Sequence, residues 1–368
     1  MQKAGKKVLF LVNHDVVIYN FRLELVERLL SDGFEVHISS PYGERIDDLV
    51  RLGAEYHEIK MDRHGMNPVK DGMLVYQYKK LIEKIRPVAI LGYTIKPNIY
   101  GSIAAGMCQV PFFATITGLG MAVENGGIIK EIIILMYKFA FRKITKIFFQ
   151  NSENARFFQK NRIALGKHII LPGSGVNLSH FTYEPYPDEE EELVFITVGR
   201  IMEVKGTCEL LEAARTVKRS YPKVSFYLIG FYDENFEELV ETAVNEGVVC
   251  HIEQQMDVRP YYAKCHALIH PGHYEGMSNV CLEAASTGRP ILASKIYGCM
   301  ETFGEEKSGM GFETGNVKDL VKTIERFIKL PHDEKEKMGK EGREKMEREF
   351  DREMVVDMYV KEIYRETN

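Results

Sequence analysis

The sequence has no tryptophan, which by itself excludes no fold. The arrangement of its six cysteines, at positions 108, 208, 250, 265, 281 and 299, excludes more, because no two form a C-x-x-C pair. That spacing argues against a zinc ribbon or a thioredoxin-type dithiol. The short basic start Met1–Lys7 leads into the apolar run Val8–Val12, too short for a secretory segment. Together these features predict a cytoplasmic protein with reduced, mostly buried thiols. No apolar run reaches the ~18–20 residues that span a bilayer. No basic run, zinc-finger spacing or aromatic RNA-binding signature is present, which argues against nucleic acid as a partner.

What is there suits a soluble globular protein of two domains. The chain has 368 residues, 45% hydrophobic and 27% charged, a length that fits two cores of about 150–200 residues each. The net charge of −5 conceals an asymmetry: residues 1–184 carry +7 and residues 185–368 carry −12. A basic half on an acidic chain points to a local anionic partner, either a membrane surface or a phosphorylated acceptor.

Strand and helix patterns alternate twice. Strands are expected at Lys7–Asn13, Glu35–Ser39, Ala54–Ile59, Ala89–Gly92, Phe112–Ile116 and Lys146–Gln150, with helices at about 21–31, 45–52, 68–85, 97–107 and 127–142. Pro185–Glu192 (PYPDEEEE) combines prolines with an acidic run and reads as an exposed linker. The alternation then resumes with strands Leu193–Val198, Val224–Ile229, Val248–Ile252, Ala267–His270 and Pro290–Ser294. The expectation is an α/β chain of two doubly wound, Rossmann-like parallel-sheet domains: 1–184, 185–345, and a terminal helix 346–368 that covers either its own domain or the first. Met354, Val355, Met358, Tyr359, Ile363 and Tyr364 form the apolar stripe of that helix.

The chemistry concentrates in His270–Gly288, HPGHYEGMSNVCLEAASTG. A strand ends at His270, a Pro-Gly turn follows, and Ser278 is placed to cap a helix. The first amides of that helix, with the positive end of its dipole, suit a phosphate. The location at the carboxyl end of a parallel strand is where open α/β sheets bind ligands. Glu275 before the helix and Glu283 within it can each accept paired hydrogen bonds from vicinal hydroxyls. A second segment, Gly199-Arg200-Ile-Met-Glu-Val-Lys205-Gly206, puts two cations just after a strand, where they can neutralise a diphosphate without a metal.

These two segments resemble the E-x7-E and G-R-x-x-x-x-K-G elements of retaining GT-B glycosyltransferases of the family 4-like group. The match includes Pro271, Glu275-Gly276, Glu283-Ala284 and Gly288-Arg289-Pro290-Ile291, with Gly272 where the family usually has serine. The resemblance implies two lobes facing a central cleft. It assigns Glu275 to the donor sugar, Glu283 to the nucleotide ribose, the amides of Gly276, Met277, Ser278, Asn279 and Val280 to the distal phosphate, and Arg200 and Lys205 to the pyrophosphate. By position it puts the base near Gly230, Asp257 and Val258. Thr115-Ile-Thr-Gly-Leu-Gly120 looks like a subgroup that builds capsule, O-antigen or lipid-linked glycans. Thr117 stands where many members carry a cleft histidine, with Gly118 and Gly120 beside it. The resemblance further implies retention by front-face attack, with no metal and no cofactor beyond the nucleotide-sugar substrate.

On the acceptor side the candidates are Asn13, His14, Arg22 and Lys96, with Arg22 suited to an acceptor phosphate. Residues 126–143, basic and rich in large apolar groups, suit an amphipathic helix on a membrane surface. The expected function is transfer of a hexose or N-acetylhexosamine, from a UDP-sugar by preference, to a lipid-linked or polysaccharide acceptor at the inner face of the cell membrane. An epimerase or hydrolase on the same fold, or a non-catalytic nucleotide-sugar-binding assembly protein, remains open from the residues. Cys265, His266, His270 and His273 lack zinc-site spacing and read as polar lining.

Overall fold

The computed structural model describes residues 5–61, 67–119, 127–188 and 192–367. Two compact units emerge: Met1–Ser174 with Arg352–Asn368, and Gly175–Asp351. The chain leaves the first unit at 174/175, earlier than the composition shift at Pro185 suggests. Of the stretch read as a linker, Pro185, Asp188 and Glu192 are exposed and residues 189–191 lie outside the described residues, but Tyr186 is buried and its hydroxyl donates to the His266 carbonyl.

Unit 1 is a seven-stranded parallel sheet of β1 (Lys7–Leu11), β2 (Glu35–Ser40), β3 (Glu55–Glu58), β4 (Ala89–Tyr93), β5 (Phe112–Ile116), β6 (Lys146–Phe149) and β7 (His168–Ile170), in the order β3-β2-β1-β4-β5-β6-β7. One face of β1, carrying Leu9 and Leu11, packs with Leu74, Tyr78 and Ile82 of the helix Pro68–Ile85. Asn67 starts that helix by accepting the Val69 and Lys70 amides, and Arg86 ends it in a left-handed conformation. The other face, with Val8 and Phe10, packs with Leu25 and Leu29 and with Val355, Tyr359 and Ile363 of the terminal helix Arg352–Thr367. Tyr359 shares a 2.7 Å hydrogen bond with Thr115 of β5, and Arg352 bonds Glu24 at 3.0 Å. At the sheet edge, His37 of β2 and His57 of β3 lie 3.0 Å apart, and burial lowers both imidazole pKa values.

Unit 2 is a six-stranded parallel sheet of β8 (Leu193–Val198), β9 (Val224–Ile229), β10 (Cys250–Ile252), β11 (Ala267–His270), β12 (Ile291–Ser294) and β13 (Gly309–Phe312), in the order β10-β9-β8-β11-β12-β13. Its lower framework hangs on one side chain. Arg289 is fully buried and donates to the carbonyls of Tyr262, Ala263, Glu184, Pro185 and Gly288. That guanidinium ties the incoming chain to the helix Arg259–Lys264 and to the start of β12.

Two strands escape the sequence pattern. β7 has three residues, and β13 reads GMGF, whose glycines look like a turn. The thiols also differ from expectation: Cys265, Cys281 and Cys299 are buried, but Cys208 and Cys250 are exposed.

Candidate active site

The strand order of unit 2 reverses between β8 and β11, and a crevice is expected outside the carboxyl ends of those two strands. The loop after β8 brings Arg200 and Lys205, and the loop after β11 brings Glu275. They approach closely because Gly206 has φ +73 and no side chain: a Cβ there would lie 2.2 Å from the Pro271 carbonyl oxygen. Gly298 plays the same part behind Glu275, whose carbonyl oxygen would be 2.5 Å from an added Cβ.

The Lys205 ammonium donates to Glu275 Oε1, and His270 Nε2 lies 3.2 Å from the same oxygen. Burial alone would raise the Glu275 carboxyl; the His270 imidazole and the Lys205 ammonium outweigh it and hold the group at about 2. Glu275 is therefore a carboxylate fixed from one side, with its second oxygen free of that pair. Sequence reasoning finds Glu275 and Lys205 but misses His270 as their third partner. The signal is a histidine closing a buried strand, which suggests lining rather than support.

The helix Asn279–Ser286 starts beside this carboxylate. Ser278 occupies the cap position, but its hydroxyl makes no capping bond, contrary to expectation; it is buried without a partner, as is Asn279 Oδ1. Of the amides expected to hold a phosphate, Ser278 N–H is already given to the Gly298 carbonyl. The Met277 side chain belongs to the core. By position the first helical amides, Asn279–Cys281, have no intrahelical acceptor. A helix start with free amides and the positive end of its dipole is chemically able to hold an anion. Glu283 sits one turn in and accepts from the Tyr262 hydroxyl at 3.1 Å.

Arg200 forms a 2.5 Å pair with Asp233, both about half exposed. Such a pair is worth about 0–1 kcal/mol, so its guanidinium can be exchanged for another anion at small cost. Gly230 serves the fold: a Cβ there would strike the Gly199 carbonyl at 1.7 Å. Asp257 forms a two-point pair with Arg259, whose hydrogen bonds outweigh desolvation and hold the carboxyl at about 2; Val258 lies between them. Cys265, His266, His270 and His273, read as polar lining, each have a separate partner: the Tyr262 carbonyl, the Val194 amide, Glu275 and Glu209.

In unit 1 the order reverses between β1 and β4. His14 and Lys96 stand at these strand ends, but each is engaged close by. His14 Nδ1 accepts the Val16 amide, and Lys96 pairs with Asp71 at 3.3 Å. Asn13 and Thr117 are half-buried at the ends of β1 and β5, with Gly118 next in the chain, and Gly120 lies outside the described residues. Arg22 departs most from expectation. It is buried, with its guanidinium 5.3 and 5.4 Å from the Tyr93 and Tyr359 rings, so it braces the terminal helix. Thr94, missed in the sequence, has φ +66 and a buried hydroxyl without a partner at the end of β4. A β-branched residue in that region is strained, and such strain concentrates at functional sites.

Known proteins agree with this architecture. The family model "Glycosyl transferases group 1" matches residues 183–345, and "Glycosyl transferase 4-like" matches residues 7–151. The chain is 26% identical over 335 residues to the N,N'-diacetylbacillosaminyl-diphospho-undecaprenol alpha-1,3-N-acetylgalactosaminyltransferase of Campylobacter jejuni, covering 87% of this chain and 88% of that one. It is 25% identical over 349 residues to the capsular polysaccharide biosynthesis glycosyltransferase CapM of Staphylococcus aureus, covering 90% of each. Among solved structures, a glycosyltransferase from Rickettsia africae aligns over 99% of both chains with a TM-score of 0.80 at 15% identity. Anabaena HepE, solved with UDP-glucose, aligns over 98% and 99% with a TM-score of 0.79 at 15% identity.

Proposed function

The chain is a glycosyltransferase with the GT-B fold, and from that premise we propose that it moves a hexose or N-acetylhexosamine, with retention, from a UDP-sugar to a lipid-linked or polysaccharide acceptor of a surface glycan. The observation that carries the proposal is the ionised Glu275, held by Lys205 and His270 beside the open start of the helix Asn279–Ser286. In this reading Glu275 accepts hydrogen bonds from the sugar, Glu283 from the ribose, and the helix amides take the distal phosphate. Arg200 and Lys205, rather than a divalent ion, meet the charge of the diphosphate. The named activities of the Campylobacter and Staphylococcus relatives support the lipid-linked and capsular acceptor class. The UDP-glucose complex of HepE supports the donor class.

The donor assignment has a direct check. UDP-sugars at about a hundredfold over their dissociation constant should raise the melting temperature by several degrees, and GDP-mannose should not. Release of UDP only when a lipid-linked acceptor is added would separate transfer from hydrolysis. A shift with GDP-mannose alone would overturn the UDP preference.

The acceptor class also implies a membrane surface. The helix Gly127–Ala140 buries Ile133, Ile134, Tyr137 and Ala140 and exposes Ile128, Ile132, Leu135 and Phe139, a second apolar stripe with Lys138 and Arg142 exposed beside it. Val75 of the helix Pro68–Ile85 lines an apolar groove of about 350 Å³ with Ile132 and Met136, so both helices border one surface. No helix among the described residues is long and apolar enough to cross a membrane. Burying one such side chain is worth about 1.5–3 kcal/mol. Leu135→Asp with Phe139→Asp should therefore cut co-sedimentation with phosphatidylglycerol vesicles at least tenfold while donor binding persists. Unchanged sedimentation would remove the membrane from the proposal.

A further inference from the structure

Three lone-pair donors converge at the edge of the unit-1 sheet, on residues the glycosyltransferase reading leaves unused: His37 on β2, and Glu55 and His57 on β3. In the parallel register His37 stands opposite Glu55 and Ser39 opposite His57, so all three side chains share one face of the sheet. His37 Nδ1 is 3.0 Å from His57 Nε2 and 3.4 Å from Glu55 Oε2, and the three ligand atoms lie within 4.8 Å of one another.

A shared proton explains the imidazole pair. It leaves the Glu55 carboxylate 3.4 Å from the same Nδ1, at most the weak arm of a three-centre bond. A tetrahedral ion with bonds of about 2.0–2.1 Å would hold its ligand atoms about 3.3–3.4 Å apart, close to both separations seen. Two imidazoles and one carboxylate are also the ligand types that zinc takes with a water in the fourth place.

We propose that His37, Glu55 and His57 bind one zinc-like divalent cation, which clips the short edge strand β3 to β2. Access is from solvent: the Glu55 side chain is 64% exposed and His57 half-buried, while His37 anchors the site from below. Two ammonium groups act on the cluster, Lys7 from β1 and Lys84 from the helix Pro68–Ile85. They are offset by two carboxylates, Glu55 itself and Glu35, which pairs with Lys7 at 3.4 Å. An arriving dication therefore meets no net positive charge. His37 Nε2 has no hydrogen-bond partner, and a ligand without such support binds about 10–100-fold more weakly than a buttressed one.

The test uses tag-free full-length protein, treated with chelator and titrated with Zn²⁺ in a calorimeter. One equivalent should bind saturably, Co²⁺ in its place should give the intense visible absorption of a tetrahedral site, and a hundredfold excess over the dissociation constant should raise the melting temperature by about 5 °C. Glu55→Gln alters only an exposed side chain, so the fold stands; it and His57→Gln should each weaken binding at least tenfold. No saturable equivalent, or unchanged binding in both variants, would overturn the site. None of these readouts involves sugar transfer, so they stand or fall apart from the glycosyltransferase reading.

Discussion

Glu275→Gln should lower kcat/KM for sugar transfer by a factor of about 100–1,000, the scale of losing one preorganised group that meets the transition state. Glutamine keeps the shape and one carbonyl, but it cannot carry the charge that Lys205 and His270 hold in place. The melting temperature should fall by several degrees as well, because the charge that Lys205 and the buried His270 stabilise is gone, so activity is compared at a temperature where both proteins are folded. The pH profile is a separate signature. Since the folded-state pKa of Glu275 is depressed to about 2, its ionisation adds stability above its unfolded value of about 4.3, and that contribution is lost as pH falls from there towards 2. Activity that depends on this carboxylate should therefore show no acid limb from Glu275 above about pH 4.3. Lys205→Ala removes one of the two supports, so an acid limb should enter at higher pH. Full activity in Glu275→Gln would sink the site assignment.

Arg289→Ala should be the most destabilising single change in unit 2, at about 3–5 kcal/mol. Its guanidinium is fully buried and serves five carbonyl oxygens from three stretches of chain. Alanine leaves those acceptors without donors and a cavity in their midst, and each buried unsatisfied group costs about 1–3 kcal/mol before relaxation. A loss of about 10 °C in melting temperature follows for a unit of this size. Arg289→Lys should recover part of it, since an ammonium supplies three donors without the planar fork. A melting temperature within about 2 °C of the parent would show that the carbonyls are solvated instead.

Both predictions rest on features that the sequence reveals unevenly. The strand–helix alternation is legible because parallel strands buried on both faces read as apolar runs, as in ALIH at β11. Glu275 and Lys205 are legible because they follow strand ends at ligand-binding positions. What stays hidden are partners set by tertiary distance. Nothing near Arg289 in sequence says that Glu184 and Pro185 give it their carbonyls, or that Tyr186 is buried beside an exposed Pro185. Arg22 looks like a surface cation because the Tyr359 ring that covers it comes from the far end of the chain. Ser278 carries the right residue type for a cap, and only coordinates reveal that its hydroxyl is left unused.

The terminal helix Arg352–Thr367 belongs to a unit whose other residues all lie at or before Ser174. During synthesis at about 5–20 residues per second, the intervening unit occupies the ribosome for about 10–35 s. Through that interval the first sheet waits with Phe10, Tyr93 and Phe148 lacking the cover that Tyr359 later provides. The second unit can therefore close before the first is sealed, because the first is completed by a segment made after it.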